Sequence, residues 1–292
     1  MTCTITPLTQ LSEANFAAHK PDHYQYVEMN TGRTQGSKAL ASETALSISF
    51  NGISYAVMMV TPGNIEDFVT GFSLSSGVVH SAREIHDVQL SVGQDSLHAT
   101  VEIANRAFWA LKSQRRQLAG TSGCGICGVE ALEQALPSLE ALPEVAPPKP
   151  ALFAGLRERI QQAQVLAQHS GALHAALYVT DVGELALCRE DIGRHNALDK
   201  LIGAMVRANV NPEQGFVVMT SRCSLELIHK AVRARIATLV TLSAPTSLTV
   251  QWARRHHLNL VHLPKNSAPR LYSPAPIQDH QTRKQHCYLN DQ

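Results

Sequence analysis

Residues 174–203 read HAALYVTDVGELALCREDIGRHNALDKLIG, and the change of pattern within them decides the fold. Two apolar runs predict strands, and the spacing that follows predicts a helix over residues 195–208. Gly193 permits the sharp turn into that helix. The alternation continues, with helices predicted over 151–169, 224–235 and 246–257 and strands in FVVMT, ATLVTLS and LNLVHL. We therefore predict an α/β fold, with a mixed, largely parallel sheet flanked by helices.

The N-terminal half predicts a smaller α+β part. The runs TALSISF and ISYAVMMV flank Asn51 and Gly52, a dipeptide that accepts positive φ at both turn positions, and so predict a hairpin. A helix with Asn64 as its N-cap follows and ends near Gly77. Alternating residues on both sides of 93–95 predict a second hairpin.

Composition divides the chain into five segments. Residues at the N-terminus lack periodicity, and order is expected to begin near Leu40. Five prolines between Pro137 and Pro150 predict a linker or an extended surface crossing. The predicted segments are a mobile arm at 1–37, an α+β part at 38–142, a proline-rich linker at 143–150, an α/β part at 151–272 and a polar tail at 273–292.

The balance of acidic and basic residues bears on the classes of molecule that the protein binds. The 292 residues include 25 Lys and Arg against 24 Asp and Glu, so nothing global indicates binding to nucleic acid or to a membrane. No targeting segment or long apolar stretch is visible, and we expect a cytoplasmic protein. Six cysteines are too few and too irregularly spaced for a secreted disulfide framework. Four of them stand alone and are predicted to be small buried hydrophobes or idle terminal thiols: Cys3, Cys188, Cys223 and Cys287.

The remaining two cysteines, Cys124 and Cys127, lie in the glycine-rich stretch GTSGCGICG at residues 120–128. A two-residue spacing suits zinc, but zinc needs further ligands, and the chain has neither a second CxxC pair nor a His-x-Glu. A thioredoxin-like dithiol normally has bulkier neighbours. The small residues admit a large partner, and the start of the predicted helix 129–136 stabilises a thiolate. A nucleophilic thiolate is the favoured interpretation, and a metal site stays open.

Two polar clusters follow predicted strands. The first, at residues 189–203, begins a helix at the strand ends where α/β sheets bind ligands. The alternative interpretation of this cluster is a solvated helix cap with local His195–Asp199 and Asn196–Lys200 pairs. The second, at residues 220–232, presents hydroxyls and Arg222 to a possible anion. The candidate side chains are Glu190, Asp191, Arg194, His195, Asn196, Asp199, Lys200, Ser221, Arg222 and Ser224.

Taken together, these motifs resemble those of the formate dehydrogenase accessory sulfurtransferase family. The resemblance runs from about Leu40 to Tyr272 and is most specific in GCGICG and EDIGRHNALDK. It implies a cytoplasmic homodimer with a core similar to the cytidine deaminase fold. Such a protein would take persulfide sulfur from a cysteine desulfurase and pass it to the molybdenum bis(molybdopterin guanine dinucleotide) cofactor of a formate dehydrogenase, without a tightly bound metal of its own.

The resemblance also implies roles for particular residues. Cys124 would carry the persulfide, and Cys127 would assist. The segment 151–272 would bind the cofactor, with Asp191, Arg194, His195 and Arg222 beside a strip formed by Leu263, Pro264, Lys265, Asn266, Ser267 and Ala268. A protein that only shelters the cofactor, without sulfur transfer, is the alternative.

Two segments depart from the family pattern. The helix that usually ends in Glu-Gly-Ile or Glu-Gly-Val ends here in Ser76-Gly77-Val78, so any role of that acid is lost. In the strip, Asn266, Ser267 and Ala268 stand where the family often has glycine and arginine, and Arg270 follows slightly later.

Overall fold

The computed structural model of the protein describes residues 23–30, 34–120 and 137–276. Within these residues the chain forms a two-stranded, a four-stranded and a six-stranded sheet. The cysteine loop, the helix predicted to follow it, most of the N-terminal arm and most of the C-terminal tail lie outside the described residues. The division into five segments stays a prediction.

The N-terminal part contains two of the three sheets. The two-stranded sheet pairs β1 with β2, so the prediction that order begins near Leu40 is wrong. The four-stranded sheet has the order β4-β3-β6-β5, with β3 parallel to β6 and its other pairs antiparallel. The elements are β1 His23–Val27, β2 Thr34–Ala39, β3 Thr44–Phe50, β4 Ile53–Val60, α1 Ile65–Ser75, β5 Ile85–Val92, β6 Ser96–Ile103 and α2 Asn105–Gly120. A short 3-10 turn, Ala82–Glu84, precedes β5.

Turn chemistry explains the two hairpins of this part. Asn51 and Gly52 both have positive φ, as the predicted hairpin turn requires. The second predicted hairpin is likewise present, between β5 and β6. Asn64 occupies the predicted N-cap position of α1, but its backbone is left-handed and its side chain makes no capping hydrogen bond. The start of α1 was therefore predicted correctly, and the reason given for it was wrong.

The C-terminal part is built on the six-stranded sheet, in the order β12-β11-β10-β9-β7-β8. Its elements are α3 Leu156–Ala163, α4 Val165–Ser170, β7 His174–Val179, β8 Leu185–Asp191, α5 Arg194–Arg207, β9 Phe216–Met219, α6 Leu225–Arg233, β10 Thr238–Thr241, α7 Ser247–Arg255, β11 Asn259–His262 and β12 Arg270–Ser273. The α/β class and the mixed sheet are confirmed.

The expectation of a largely parallel sheet is wrong. Only the pairs β9–β10 and β10–β11 are parallel, whereas β7 is antiparallel to both β8 and β9. The link between β7 and β8 is five residues long, from Thr180 to Glu184, and a parallel crossover needs a dozen or more. The strand β12, which was not predicted, adds to β11 antiparallel. The similarity to the cytidine deaminase fold stays a prediction.

Helices cover both faces of the six-stranded sheet. One face packs against α5, α6 and α7, through Leu198, Leu201, Leu227 and Trp252. The other face packs against α3 and the 3-10 turn Pro150–Phe153, through buried side chains that include Leu156 and Ile160. The sheet is therefore flanked by helices, as predicted.

The helix predicted over 151–169 is divided into the 3-10 turn, α3 and α4. Gly155 is left-handed between the first two, and Gln164 leaves the helical region between the second and third. The break at Gln164 allows the first amides of α4 to point at the Glu190 carboxylate, which accepts hydrogen bonds from Leu166 N–H (2.9 Å) and Ala167 N–H (2.7 Å). The partner that divides the helix is more than 20 residues away, so local spacing could not reveal it.

The proline-rich stretch 137–149 has no helix or strand. It crosses the C-terminal part in contact with it, because Leu142 is buried and donates its N–H to the carbonyl of His256 (3.0 Å). The side chain of Asn259 also donates to the carbonyl of Val145 (2.9 Å). Of the two predicted possibilities, the stretch matches the extended crossing, and its contacts with the C-terminal part were not predicted.

The two parts of the chain meet where α1 crosses α5. Gly71 on α1 and Gly203 on α5 lie at the crossing, and a Cβ atom added to either would overlap backbone of the other helix. The helix backbones are therefore closer together than side chains would allow. This contact fixes the N-terminal part against α5, the helix that contains much of the polar cluster at residues 189–203.

Candidate functional site

The carboxyl edge of the six-stranded sheet is the end at which β8, β9, β10 and β11 finish. These four strands point the same way, because β7 is antiparallel to both β8 and β9, and β10 and β11 are parallel to β9. Polar loops follow each of the four strands. The carboxyl edge thus collects the predicted side chains Arg194, His195, Arg222 and the strip Leu263 to Ala268. Open α/β sheets bind their ligands at such an edge.

Arg194 begins α5 at the carboxyl edge. Its Nε atom is buried and has no hydrogen-bond partner. The half-buried ring of His174, at the start of β7, lies near it: burial and then the Arg194 charge lower the pKa of His174, and the Asp191 carboxylate opposes the shift. A buried, unsatisfied guanidinium nitrogen is costly in a folded protein. Arg194 is therefore the described side chain of this edge that is best placed to gain from an anionic ligand.

His195 lies in the next position and is also half-buried. Its Nε2 atom is 3.2 Å from the Ser224 hydroxyl and 3.1 Å from the Glu226 carboxylate. Burial, followed by the charges of Arg194 and Lys230, lowers the pKa of His195, while Glu226 opposes the shift. The shift favours the neutral ring, which can donate or accept one proton at Nε2.

The loop after β9 leads into α6. Arg222 is exposed to solvent, whereas Ser221 is buried and donates its hydroxyl to the Arg222 carbonyl (3.1 Å). Ser224 occupies the N-cap position of α6 but makes no capping hydrogen bond. Its hydroxyl instead contacts His195, so the two polar clusters predicted from the sequence touch at this point.

The strip Leu263 to Ala268, which follows β11, is held by a side chain of α3, on the face of the sheet opposite to α5, α6 and α7. Leu263 is buried, Pro264 is half-buried, and Lys265 to Ala268 are exposed. Arg157 on α3 donates hydrogen bonds to the carbonyls of Leu242 (3.1 Å), Pro264 (3.2 Å) and Leu263. One guanidinium therefore fixes the first carbonyls of the two neighbouring loops that follow β10 and β11. Sequence reasoning missed Arg157, because nothing in its own helix indicates carbonyl partners about 100 residues away.

Asp191 is fully buried and does not line the edge as the other predicted residues do. Its carboxylate accepts hydrogen bonds from the N–H groups of Thr61 and Gly193 (2.9 Å each) and from the Asn196 amide (2.9 Å). The ammonium of Lys200 lies 2.8 Å from it and also donates to the Thr61 carbonyl (2.8 Å). Asp191 therefore joins the end of β4 to the start of α5. Direct contact between Asp191 and a ligand stays a prediction.

Asp199 makes a second buried junction between the two parts. It accepts from the Ser75 hydroxyl on α1 and from the Lys230 ammonium on α6 (2.8 Å). Burial raises the pKa of Asp199, and Lys230 opposes that shift. The alternative interpretation of this cluster, a solvated cap with local pairs, is wrong: Asp199 pairs with Lys230 rather than His195, and Lys200 with Asp191 rather than Asn196.

Asp67 makes a third junction. This carboxylate on α1 is fully buried and receives the Arg189 guanidinium (2.7 Å) from β8 and the Arg207 guanidinium (3.0 Å) from the end of α5. The sequence gives no local signal for these contacts, because the partners are more than 120 residues apart. The REDIGRHNALDK segment thus has two functions in the fold: it holds the two parts together, and it places Arg194 and His195 at the start of α5.

The predicted persulfide cysteines, Cys124 and Cys127, lie outside the described residues. The two solitary cysteines that are described behave as predicted. Cys223 is buried, Cys188 is half-buried, and burial raises the pKa of each thiol to about 12. Neither forms a reactive thiolate at neutral pH, since the thiolate is the nucleophilic form.

Two further features of the described residues bear on the sequence predictions. In the ranges 23–30, 34–120 and 137–276, no three side chains of His, Cys, Asp or Glu are grouped so as to hold a metal ion. None of the helices in these ranges combines the length and the apolar character that crossing a membrane requires.

The chain is similar to proteins of one family along most of its length. The sequence pattern of the FdhD/NarQ family matches residues 41–276. A sulfur carrier protein FdhD from Bordetella parapertussis is 39% identical over 264 residues, covering 88% of this chain and 95% of that protein. A sulfur carrier protein FdhD from Chromobacterium violaceum is 44% identical over 219 residues, covering 74% and 81%.

A solved structure has the same fold. The crystal structure of a protein from Desulfotalea psychrophila, described as a formate dehydrogenase accessory protein, superposes with a TM-score of 0.65. The match covers 86% of this chain and 96% of that one at 20% sequence identity. At this identity the likeness concerns the fold alone.

Proposed function

Because the chain belongs to the FdhD/NarQ family, we propose that it is a sulfur carrier that serves the maturation of formate dehydrogenase. The match to sulfur carrier proteins over nine-tenths or more of a relative's length is the observation that supports this function most strongly. The raised thiol pKa of Cys188 and Cys223 agrees with it, because neither of these two cysteines competes with the CxxC pair as a thiolate.

The proposed reaction begins with the thiolate of Cys124. It attacks the outer sulfur of a persulfide on a cysteine desulfurase, a new S–S bond forms on Cys124, and the desulfurase cysteine leaves as a thiolate. No electrons are gained or lost overall in this step. Cys127 assists as the neighbouring thiol. A depressed pKa of Cys124 favours the step at neutral pH.

The second substrate is the molybdenum bis(molybdopterin guanine dinucleotide) cofactor, whose phosphates need cationic or N–H-rich partners. The carboxyl edge offers the unsatisfied Arg194 and the exposed side chains of Arg222 and Lys265. Its neutral His195 is available to exchange a proton near the reacting sulfur. In this proposal the protein is a cytoplasmic homodimer, and its partners are the desulfurase and a formate dehydrogenase.

Intact-mass analysis after incubation with a cysteine desulfurase and cysteine tests the carrier role. The wild-type protein should gain one sulfur atom that a thiol reductant removes, Cys124→Ala should gain none, and Cys127→Ala should gain less. Cys188→Ala is the matched control and should gain the full amount. No added sulfur on the wild type, with the cofactor still bound, would instead favour a protein that only shelters the cofactor.

A further inference from the structure

A cavity of about 380 Å³ lies between the two parts of the chain, at the amino ends of β9 and β10. It is remote from the carboxyl edge, because its walls are the loops that enter these strands rather than the loops that leave them. One wall is formed by the end of α1 and the 3-10 turn after it, and the opposite walls by the ends of α5 and α6. The lining includes Leu74, Ile202, Met205, Val210, Arg233 and Ile236.

One part of the cavity wall is apolar, and the rest includes the polar side chains of His80, Ser81 and Asn211. Ile202, Met205 and Ile236 are among the most buried residues of the protein, and Leu74 and Val210 pack against the same core. An apolar surface of this kind gains free energy when a ligand removes it from water. The volume is within the range of small-molecule sites, which are mostly apolar with a few placed polar groups.

The charges at the cavity are not balanced. Arg235 is neutralised by Glu213, whose carboxylate is 2.9 Å away. The Arg233 side chain packs over Gly77, where an added Cβ would lie 3.6 Å from the Arg233 Nε atom. The Nη1 group of Arg233 donates a hydrogen bond to the Ser75 carbonyl (3.1 Å). No acidic side chain within 23–30, 34–120 or 137–276 forms an ion pair with Arg233. The cavity therefore combines an apolar wall with one solvent-exposed cation, Arg233, that has no anionic partner among the described residues.

From this combination we propose that the cavity is a second binding site, for a small monoanion with an apolar body such as an aromatic carboxylate. The carboxylate pairs with the free N–H groups of Arg233, and the ring fills the space between Leu74, Ile202 and Ile236. The site is independent of sulfur transfer, since it uses neither the cysteine loop nor the carboxyl edge.

Calorimetric titration of the full chain with naphthalene-2-carboxylate tests this site, with naphthalene-2-carboxamide as the uncharged probe of equal shape. The carboxylate should bind and the carboxamide should bind at least about tenfold more weakly, because one charge-assisted hydrogen bond is lost. Arg233→Gln should weaken carboxylate binding by a similar factor. Val210→Trp, which fills the cavity, should abolish binding while the thermal melting curve stays cooperative.

Arg106→Gln is the matched control: it removes the same charge from an exposed position outside the cavity and should leave binding unchanged. Equal binding of both probes, or unchanged binding to Arg233→Gln, overturns the proposal. An affinity that falls as the protein concentration rises also overturns it, because a second copy of the chain would then be covering the cavity.

Discussion

The ammonium of Lys230 lies 2.8 Å from the carboxylate of Asp199, at the buried point where α1, α5 and α6 meet. Removing one member of a buried pair leaves the other charge without compensation, which typically costs about 3–5 kcal/mol. Asp199→Ala should therefore lower the free energy of unfolding by about that amount, measured by urea denaturation.

The double variant Asp199→Leu/Lys230→Met and an exposed pair provide the comparison. The double variant should be more stable than Asp199→Ala, because no buried charge is left unpaired. Glu213→Ala breaks the exposed pair with Arg235 and should cost less than about 1 kcal/mol. If Asp199→Ala costs no more than Glu213→Ala, the junction does not stabilise the fold as described.

A second prediction concerns the crossing of α1 and α5. An exposed glycine inside a helix is usually improved by alanine, by about 0.5–1 kcal/mol. Gly203→Ala should do the opposite, because its Cβ would overlap the Asp67 carbonyl and force the helices apart. Chemical denaturation should show a loss of about 1–3 kcal/mol, as for other overpacked positions.

Gly171→Ala is the control for that measurement. Gly171 is left-handed, with φ at 69°, but an added Cβ would meet nothing within 4 Å. Its substitution tests backbone strain without a steric clash and should cost about 1 kcal/mol. A Gly203→Ala protein as stable as the wild type would contradict the close approach of the two helices.

Local sequence signals predicted the helices and strands of this fold better than they predicted which elements pair or pack together. The hairpin at Asn51 and Gly52 follows from backbone chemistry within two residues, and it was predicted correctly. The expectation of a largely parallel sheet was wrong, although the short link from Thr180 to Glu184 already indicated that β7 and β8 are antiparallel. The strand β12 has four residues and two of them are exposed, so it shows no burial pattern, and only its pairing with β11 identifies it.

The same distinction applies to the candidate site. Strand-end topology brings Arg194, Arg222 and Lys265 to one edge, and the order of strands and helices was enough to predict it. The roles of Asp191 and Asp199 were not predictable from spacing, because their partners Thr61 and Ser75 lie more than 120 residues away. The local pairing rule assigned Asp199 to His195 on the same helix.

The pH dependence of stability should reveal a buried histidine. Burial, and then the charges of Arg233 and His256, lowers the pKa of His229 to about 4, with Glu226 opposing. Between pH 4 and the ordinary value of 6.5, the unfolded state binds the proton and the folded state does not. Stability therefore falls as the pH is lowered through this window, by up to about 3 kcal/mol, and this contribution levels off below pH 4.

The variant His229→Phe isolates that contribution, because it keeps an aromatic ring against Trp252, whose centroid is 4.7 Å from the imidazole. The free energy of unfolding of the wild type minus that of the variant should decrease from pH 7 to pH 4. A difference that does not change with pH would show that His229 titrates alike in the folded and unfolded states.

The cofactor proposal predicts that guanosine diphosphate binds at the carboxyl edge with an affinity that falls as salt rises, since the attraction is largely ionic. Lys265→Ala and Arg222→Ala should each weaken binding, by roughly tenfold for one charge-assisted bond, and should flatten the salt dependence. Calorimetry at several salt concentrations measures both effects. Arg106→Ala, at an exposed position elsewhere, should change neither. Equal binding of adenosine diphosphate would contradict a guanine-recognising site.

Arg157 should act as a positioning residue for that nucleotide. Its guanidinium holds the carbonyls of Leu242, Leu263 and Pro264, just before the exposed Lys265. A lysine keeps the charge but lacks the planar fork that reaches several carbonyls at once. Arg157→Lys should therefore weaken binding of guanosine diphosphate and increase amide hydrogen exchange at 265–268, while persulfide formation on Cys124 stays unchanged.

Arg159→Lys is the matched control, because Arg159 lies on the same helix and donates to the carbonyls of Gly183 and Leu152, away from the strip. It should leave nucleotide binding and exchange at 265–268 as in the wild type. If the two variants lower the melting temperature equally and neither changes binding, Arg157 serves the stability of α3 alone. If Arg157→Lys weakens nucleotide binding at an unchanged melting temperature, the loss of binding arises from the strip Leu263 to Ala268. The side chain at position 157 contacts that strip only through the carbonyls of Leu263 and Pro264.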